Sequence, residues 1–496
     1  MRRLTPLLLA ATMAGCGDTT APVDAVVPDV ADTSPDGAEA SPDSADAAPS
    51  APRIRFFVDE RPQDDADLDV DATLRGARWS DPIRVVVDGL AAGQQVTLAF
   101  SAAAGTSQAR FAADGDGVID LGRDAPLSGD WAVADRDAFL WSMVGAVDPS
   151  APIDLTISAF VVDGERQIAS ATLSRHTTDA DIVVEPVADD TTVGVLALPP
   201  GDGPFGAVLC FGGSEGGTAS GLRCARHIAS LGYAALGVGY FRAPGLPPTL
   251  KDVPLEILEK DLAYLTADAR VAAGGVVVVG ASRGGELALL LGARFPAVKG
   301  VVAQVPSGYV WGAAAGEGAA WTYAGEPLPS IPSSGSLTGD PLVSSEGVLG
   351  TSTRRIFLDA VAQASEPERA AASIPIEAVA GPVVLLGGAD DQLWPSCELA
   401  DVAYQRLLAA GHVAAHGDRL VCSPDAGHFS TGTPGWTAVG STVYDDAVNG
   451  FRFVVGGTVA GNGMAQRQND TALRALLEDV LGPGRIVAPS SAPAGP

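Results

Sequence analysis

The stretch VVVVGASRGGELALLL, residues 276 to 291, governs how the rest of the chain is read. Four consecutive valines are β-branched and wholly apolar, as suits a strand buried on both faces of a parallel sheet. The strong helix formers over 286 to 295 predict a helix after them. Between the two, Gly280-Ala281-Ser282-Arg283-Gly284 fits the nucleophile-elbow pattern Gly-x-Ser-x-Gly. The glycines are needed because side chains in so tight a turn would collide with the strand or the helix. This context predicts that Ser282 stands at the carboxyl edge of an α/β sheet, over a helix amino terminus, as a nucleophile.

On either side of this segment, apolar runs alternate with helical segments, the pattern of a mostly parallel sheet with helices on both faces. Strands are expected at 193–198, 207–211, 234–240, 275–280, 298–305, 383–387 and 419–422. Helices are expected at 253–267, with Asp252 as cap and Pro254 in the first turn, at 286–295 and at 397–408. A Gly-, Ser- and Pro-rich insert at about 306–374 breaks the alternation and reads as a lid. These elements make residues 188–484 an α/β-hydrolase domain, and 485–496 a disordered tail. Residues 53–187 carry short alternating runs between Gly, Pro and Asp turns and read as a separate β-sandwich. Two domains suit 496 residues, since single cores stop growing at about 250 to 300.

The amino terminus reads as an export signal. Arg2 and Arg3 precede an apolar run, residues 4–13, that is too short for a bilayer span of about 20 residues. Met13-Ala14-Gly15-Cys16 resembles a bacterial lipoprotein box, which makes 1–16 the signal segment, Cys16 the lipidated residue and a membrane the partner through that anchor. Residues 17–52 have no aromatic side chain and read as a disordered tether. Export places the other cysteines, Cys210, Cys224, Cys397 and Cys422, in an oxidising compartment. A bridge between Cys397 and Cys422 is expected, both lying near the carboxyl edge of adjacent strands. A net charge of −29 repels phosphate backbones, so nucleic acid is not an expected partner.

The elbow pattern occurs twice. Gly212-Gly213-Ser214-Glu215-Gly216 also follows a strand, but no strong helix begins at once behind it. It sits where hydrolases keep the loop that supplies an oxyanion-hole amide, so Gly213 or Ser214 is assigned a backbone role and Arg283 the second amide. A serine needs a base, and the base a carboxylate. Of five histidines, His176 lies at the domain junction, His227 in a helical pattern, and His412 and His416 in a polar loop. His428 follows a strand in a loop able to reach the sheet edge, and is the expected base. Asp390 and Asp391 end another strand, which gives the hydrolase order Ser, Asp, His. Asp391 is preferred by analogy, Pro395 standing four residues on, and Asp390 remains the alternative. The string at 114–120 looks like part of a calcium loop, but Ala112 and Arg123 would fall on ligand positions in EF-hand register, so a sandwich turn is expected. No metal site and no cofactor is inferred.

Several longer segments, in one order, resemble the type I acyl-CoA thioesterases and bile acid-CoA:amino acid N-acyltransferases. They are GVIDLGRDAPLSGDW (117–131), AFLWSM (138–143), FGGSEGG (211–217), GASRGGELALLL (280–291), AWTYAGEPLP (320–329), DDQLWPS (390–396) and AGH (426–428). The resemblance implies an Ig-like sandwich before the hydrolase domain, a triad on Ser282, Asp391 and His428, and an acyl pocket under the insert. Its amino-acid-transferring members use cysteine as nucleophile, so serine at 282 implies hydrolysis of a small-molecule acyl thioester or ester. An exported protein faces a compartment not expected to hold acyl-CoA. The alternatives are a carboxylesterase without coenzyme A specificity, an acyltransferase, and a surface binding lipoprotein with an inactive hydrolase domain. Nothing in the sequence sets the oligomeric state.

Overall fold

The computed structural model describes residues 51–58, 77–78, 83–102, 105–144, 154–176, 182–188, 192–314, 317–332, 339–431, 438–446 and 450–485. The signal segment with Cys16, the tether up to residue 50 and the tail from residue 486 lie outside the described residues.

The amino-terminal domain is two facing sheets. One joins β1 (Arg53–Val58), β3 (Ile83–Asp88) and β6 (Ile119–Asp120). The other is built from β2 (Ala77–Arg78), β4 (Gln95–Ala102), β5 (Gly105–Ala112), β7 (Ser128–Gly129), β8 (Asp154–Asp163) and β9 (Arg166–His176), in the order β2-β9-β8-β4-β5-β7. Strand alternation sends Val96, Leu98, Phe100, Ala109 and Phe111 inward against Ile83, Val85 and Val87 of the facing sheet. Trp131, Phe139 and Trp141 close this core, the last two from the short helix α1 (Ala138–Trp141). The 114–120 string is a turn between the sheets: Asp114 Oδ1 accepts from the N–H groups of Asp116 and Val118.

The second domain is built on an eight-stranded sheet. Its strands are β10 (Val183–Ala188), β11 (Val193–Leu198), β12 (Phe205–Phe211), β13 (Ala234–Val238), β15 (Val271–Ala281), β16 (Val298–Gln304), β21 (Val383–Gly388) and β22 (Arg419–Ser423), in the order β10-β11-β13-β12-β15-β16-β21-β22. All but β11 run parallel to one another. The central valines, Val276 to Val278, are fully buried, as strands covered on both faces require. The covering helices are α2 (Ala219–Ser230), α3 (Glu256–Ala267), α4 (Arg283–Arg294), α7 (Ser396–Ala409) and the long α9 (Val459–Leu481), with the short α8 (His412–His416) between the last two.

Three sequence expectations are corrected. The boundary at 187/188 falls inside β10, which pairs with β11 in the hydrolase sheet, so the second domain begins before Val183. This edge strand is half exposed. The helix expected over 253–267 starts at Glu256, after Leu255 at the cap position. Val253 and Pro254 form a short strand, β14, beside β17 (Trp321–Tyr323), because the N–H groups of Val253 and Leu255 find acceptors in Ala320 and Thr322. On its other side β17 pairs with β18 (Glu326–Pro327). The insert is more than a lid loop. Its strands β19 (Asp340–Val343) and β20 (Leu349–Ser352) join β23 (Val443–Asp446) and β24 (Phe451–Val454) in one sheet, and it also carries α5 (Arg354–Gln363) and α6 (Glu366–Ala372).

The domains meet through α9. Arg467 Nε lies 2.6 Å from Asp137 Oδ2, and the N–H of Ala438 donates to Trp141 O at 2.8 Å. A Cβ on Gly463 would fall 2.4 Å from Trp141 Cγ, so only glycine admits the indole there. The other side of α9 buries Leu473, Leu476 and Leu477 under the sheet with Val208, Val277 and Val384.

Candidate active site

Ser282 stands between the end of β15 and the first residue of α4, with φ 59° and ψ −122°, a sparsely populated conformation for a residue with a side chain. The surroundings hold it there. Its N–H donates to Gln304 O at 2.8 Å. A Cβ on Gly280 would lie 2.2 Å from Gly284 O, and one on Gly284 would lie 2.2 Å from Gly212 O. Both elbow glycines are therefore steric necessities, and the elbow rests directly on the 212–217 loop. Because α4 begins at Arg283, its first amides have no acceptor within the helix.

Register delivers three loops to one edge. Ala281 pairs with Gln304, Gln304 with Leu386, and Gly388 with Ser423, so β15, β21 and β22 end level with one another. Asp391 follows β21 and is fully buried. Its Oδ1 accepts from the N–H groups of Leu393 at 3.0 Å and Trp394 at 3.2 Å, and its Oδ2 lies 2.8 Å from Nδ1 of the buried His428. Asp390 turns elsewhere, to Gln392 and the N–H of Gly457, so Asp391 is the carboxylate on the imidazole. His428 is held by its own N–H on Val455 O and by Trp394, whose indole N–H donates to Val305 O. With Nδ1 as donor to the carboxylate, Nε2 is the basic nitrogen, a tautomer assigned from the hydrogen bond. Ser282 makes no direct hydrogen bond to His428 among the described residues.

Two of the other histidines have ring nitrogens engaged elsewhere. His412 spends both nitrogens, Nδ1 on Asp418 at 2.7 Å and Nε2 on Val379 O at 2.9 Å, with His416 against its ring. His227 pairs with Asp470 between α2 and α9. Burial pushes the Asp470 carboxyl up, but His227 and Arg474 outweigh it and hold it at about 2. His176 ends β9 in the sandwich.

The second glycine loop, where Gly213 or Ser214 is expected to offer a backbone amide, carries a carboxylate on one of these amides. The amide of Gly213, expected to face an oxyanion, donates to Glu215 Oε2 at 3.0 Å. Ser214 is buried, and the Tyr240 hydroxyl lies 3.0 Å and 2.9 Å from the carbonyls of Gly212 and Gly213. Cys210 and Cys224 are disulfide-bonded across this loop, their Cα atoms 5.9 Å apart, and Cys397 and Cys422 are bonded beside Asp391 and His428 with Cα atoms 5.7 Å apart.

Sequence reasoning missed Glu286. In the first turn of α4, fully buried, its Oε1 accepts from Trp321 Nε1 at 2.6 Å and Trp311 N at 3.2 Å, while its Oε2 lies 3.0 Å from Arg283 Nε. Burial pushes its carboxyl up to about 7. Arg283 in turn donates to Gly312 O and Trp311 O. The two side chains pin the base of the insert to the elbow. The signal was present as a charged pair at i and i+3 opening an otherwise apolar helix.

Residues 253–483 match the profile described as BAAT / Acyl-CoA thioester hydrolase C terminal, and residues 80–189 that described as Acyl-CoA thioester hydrolase/BAAT N-terminal region. Acyl-coenzyme A thioesterase 1 of Homo sapiens is 30% identical over 371 residues, which are 71% of this chain and 82% of that protein. The mitochondrial acyl-coenzyme A thioesterase 2 of Homo sapiens is 30% identical over 371 residues, covering 71% and 72%.

Proposed function

The chain belongs to the acyl-CoA thioester hydrolase/BAAT family, and from that premise we propose that it is a serine hydrolase that cleaves a small-molecule acyl thioester or ester through an acyl-serine intermediate. The observation that carries this reading is the buried 2.8 Å contact of His428 with Asp391 at the sheet edge where Ser282 occupies a strained elbow. His428 Nε2 removes the Ser282 proton as Oγ attacks the acyl carbon. The oxyanion is met by the amide of Arg283 and one from the 212–217 loop. The thiol or alcohol leaves, taking the proton from His428 where it needs one, and water repeats the sequence to release the acid. Asp391 holds the imidazole in the required tautomer. No cofactor enters any step.

The leaving group is the finer question. The two chemistries share the acyl-enzyme route, so preference must come from binding the remote part of the substrate. Coenzyme A is a polyanion, and this chain has 31 basic against 60 acidic residues. An exported, lipid-anchored protein, to which two disulfides are suited, would meet other thioesters and esters. The test is a fluorophosphonate probe, which labels only an activated serine, followed by kcat/KM for acyl-CoA and for an uncharged thioester of the same acyl chain. We expect labelling at Ser282 and a preference for acyl-CoA below about a hundredfold, roughly 2.7 kcal/mol of transition-state binding. A larger preference would restore full acyl-CoA specificity, and no labelling would favour the binding-lipoprotein reading.

A further inference from the structure

The loop that should receive an oxyanion already holds an anion. Glu215 folds back so that its Oε2 accepts from the N–H of Gly213 at 3.0 Å. A Cβ on Gly213 would lie 3.1 Å from Ser282 Cβ and 3.2 Å from Glu215 Oε2, so the carboxylate and the nucleophile's side chain flank the same spot. A Cβ on Gly212 would come within 2.2 Å of Glu215 Oε1, so the glycines of this loop also make room for the carboxylate. The backbone beneath is fixed independently of that contact. Arg242 Nη1 donates to Glu215 O at 3.2 Å, the N–H of Gly217 donates to Phe241 O at 2.9 Å, and the Cys210–Cys224 bond closes the segment. Glu215 is half-buried, so its side chain can turn toward solvent while the loop stays in place.

We propose that Glu215 is a resident competitor for the oxyanion amide, a carboxylate that must leave Gly213 before a tetrahedral adduct on Ser282 can be stabilised there. The proposal rests on the serine-hydrolase reading. A carboxylate and an oxyanion want the same donor, and two negative charges cannot share it in a site partly shielded from water. The resting enzyme therefore spends a charge-assisted hydrogen bond at each acylation. Substrates with enough remote contact to drive the carboxylate out lose least, while small esters bear the full penalty.

Glu215→Ala and Glu215→Gln in the full chain test this with two readouts. One is kcat/KM on p-nitrophenyl butyrate. The other is affinity for phenylboronic acid, whose boron takes a lone pair of Ser282 Oγ while the hydroxyl proton passes to His428, leaving a tetrahedral boronate anion. Glu215→Ala should raise both by about tenfold, the size of one charge-assisted hydrogen bond. Glu215→Gln, whose neutral carbonyl still accepts from Gly213, should raise both by less. A residue that merely held the loop would show falls in both readouts, and that result, or no change beyond about twofold, overturns the proposal. Should Glu215→Ala not fold, the near-isosteric Glu215→Gln decides by the same measurements. Absence of fluorophosphonate labelling in wild type and both variants would defeat the hydrolase reading itself, whereas normal labelling without variant gains defeats only the role of Glu215.

Discussion

The loops at 212–216 and 280–284 share one pattern, follow neighbouring parallel strands and touch through Gly212 and Gly284, yet they present different atoms. At 280–284 the helix starts on the residue after the serine, so the chain reverses within a single strained position and the side chain is thrust outward. At 212–216 the helix waits until Ala219, the serine is buried, and the elbow is faced by backbone with the carboxylate of Glu215 on it. The distance from the serine to the next helix, more than the pattern, separates the two loops in what they present.

Replacing the serine of the tighter loop tests this difference most directly. Ser282→Ala should abolish probe labelling and lower kcat by about 10⁴ or more in a protein that still melts cooperatively. Next in size is the partner of the base. Asp391→Asn should lower kcat by about 10³ to 10⁴, as an imidazole held in the wrong tautomer does, while Asp390→Asn should leave most turnover in the same assay. The contact between the loops comes third: a methyl in Gly284→Ala meets Gly212 O and should cost about 1–3 kcal/mol in urea denaturation, with turnover falling alongside.

Glu286 gives a smaller effect with a defined sign. Its folded-state pKa is raised by burial from 4.5 to about 7. Over that window the folded protein keeps a proton that the unfolded chain releases, so this group's contribution to stability is present at low pH and falls as pH rises. The loss is on the order of 3 kcal/mol between about pH 4 and 8, and Glu286→Gln should flatten that slope in denaturation at the two pH values. Smallest of all, Ser214→Ala should change kcat/KM by less than about tenfold, since the serine is buried and its expected role is a backbone one. Loss comparable to that of Ser282→Ala would reverse the ranking of the two loops.

The elbow was legible because everything that shapes it is local: a valine strand, two glycines and a helix beginning at once. His428 was reachable by elimination, the other histidines lying in patterns that place them elsewhere. Asp390 and Asp391 could not be separated on chain position, since both end the same strand. They are separated by the pair of N–H groups, from Leu393 and Trp394, that orient the Asp391 carboxylate. The cap sheet was out of reach because Thr351 pairs with Phe453, across a separation that no periodicity reports. Glu215 looked like one polar residue in a glycine-rich turn, and only its folded position gives it meaning.

The seam between α9 and the sandwich bears on how such a chain can be inherited. The last helix of the catalytic domain carries a glycine shaped to the indole of Trp141 and an arginine matched to Asp137, so each domain holds half of a fitted joint. A recombination event that kept residues from Val183 onward and discarded the sandwich would leave that arginine and the apolar surface around Gly463 facing water. Loss of the sandwich would therefore leave a fitted surface of α9 uncovered unless that face of the helix changed with it.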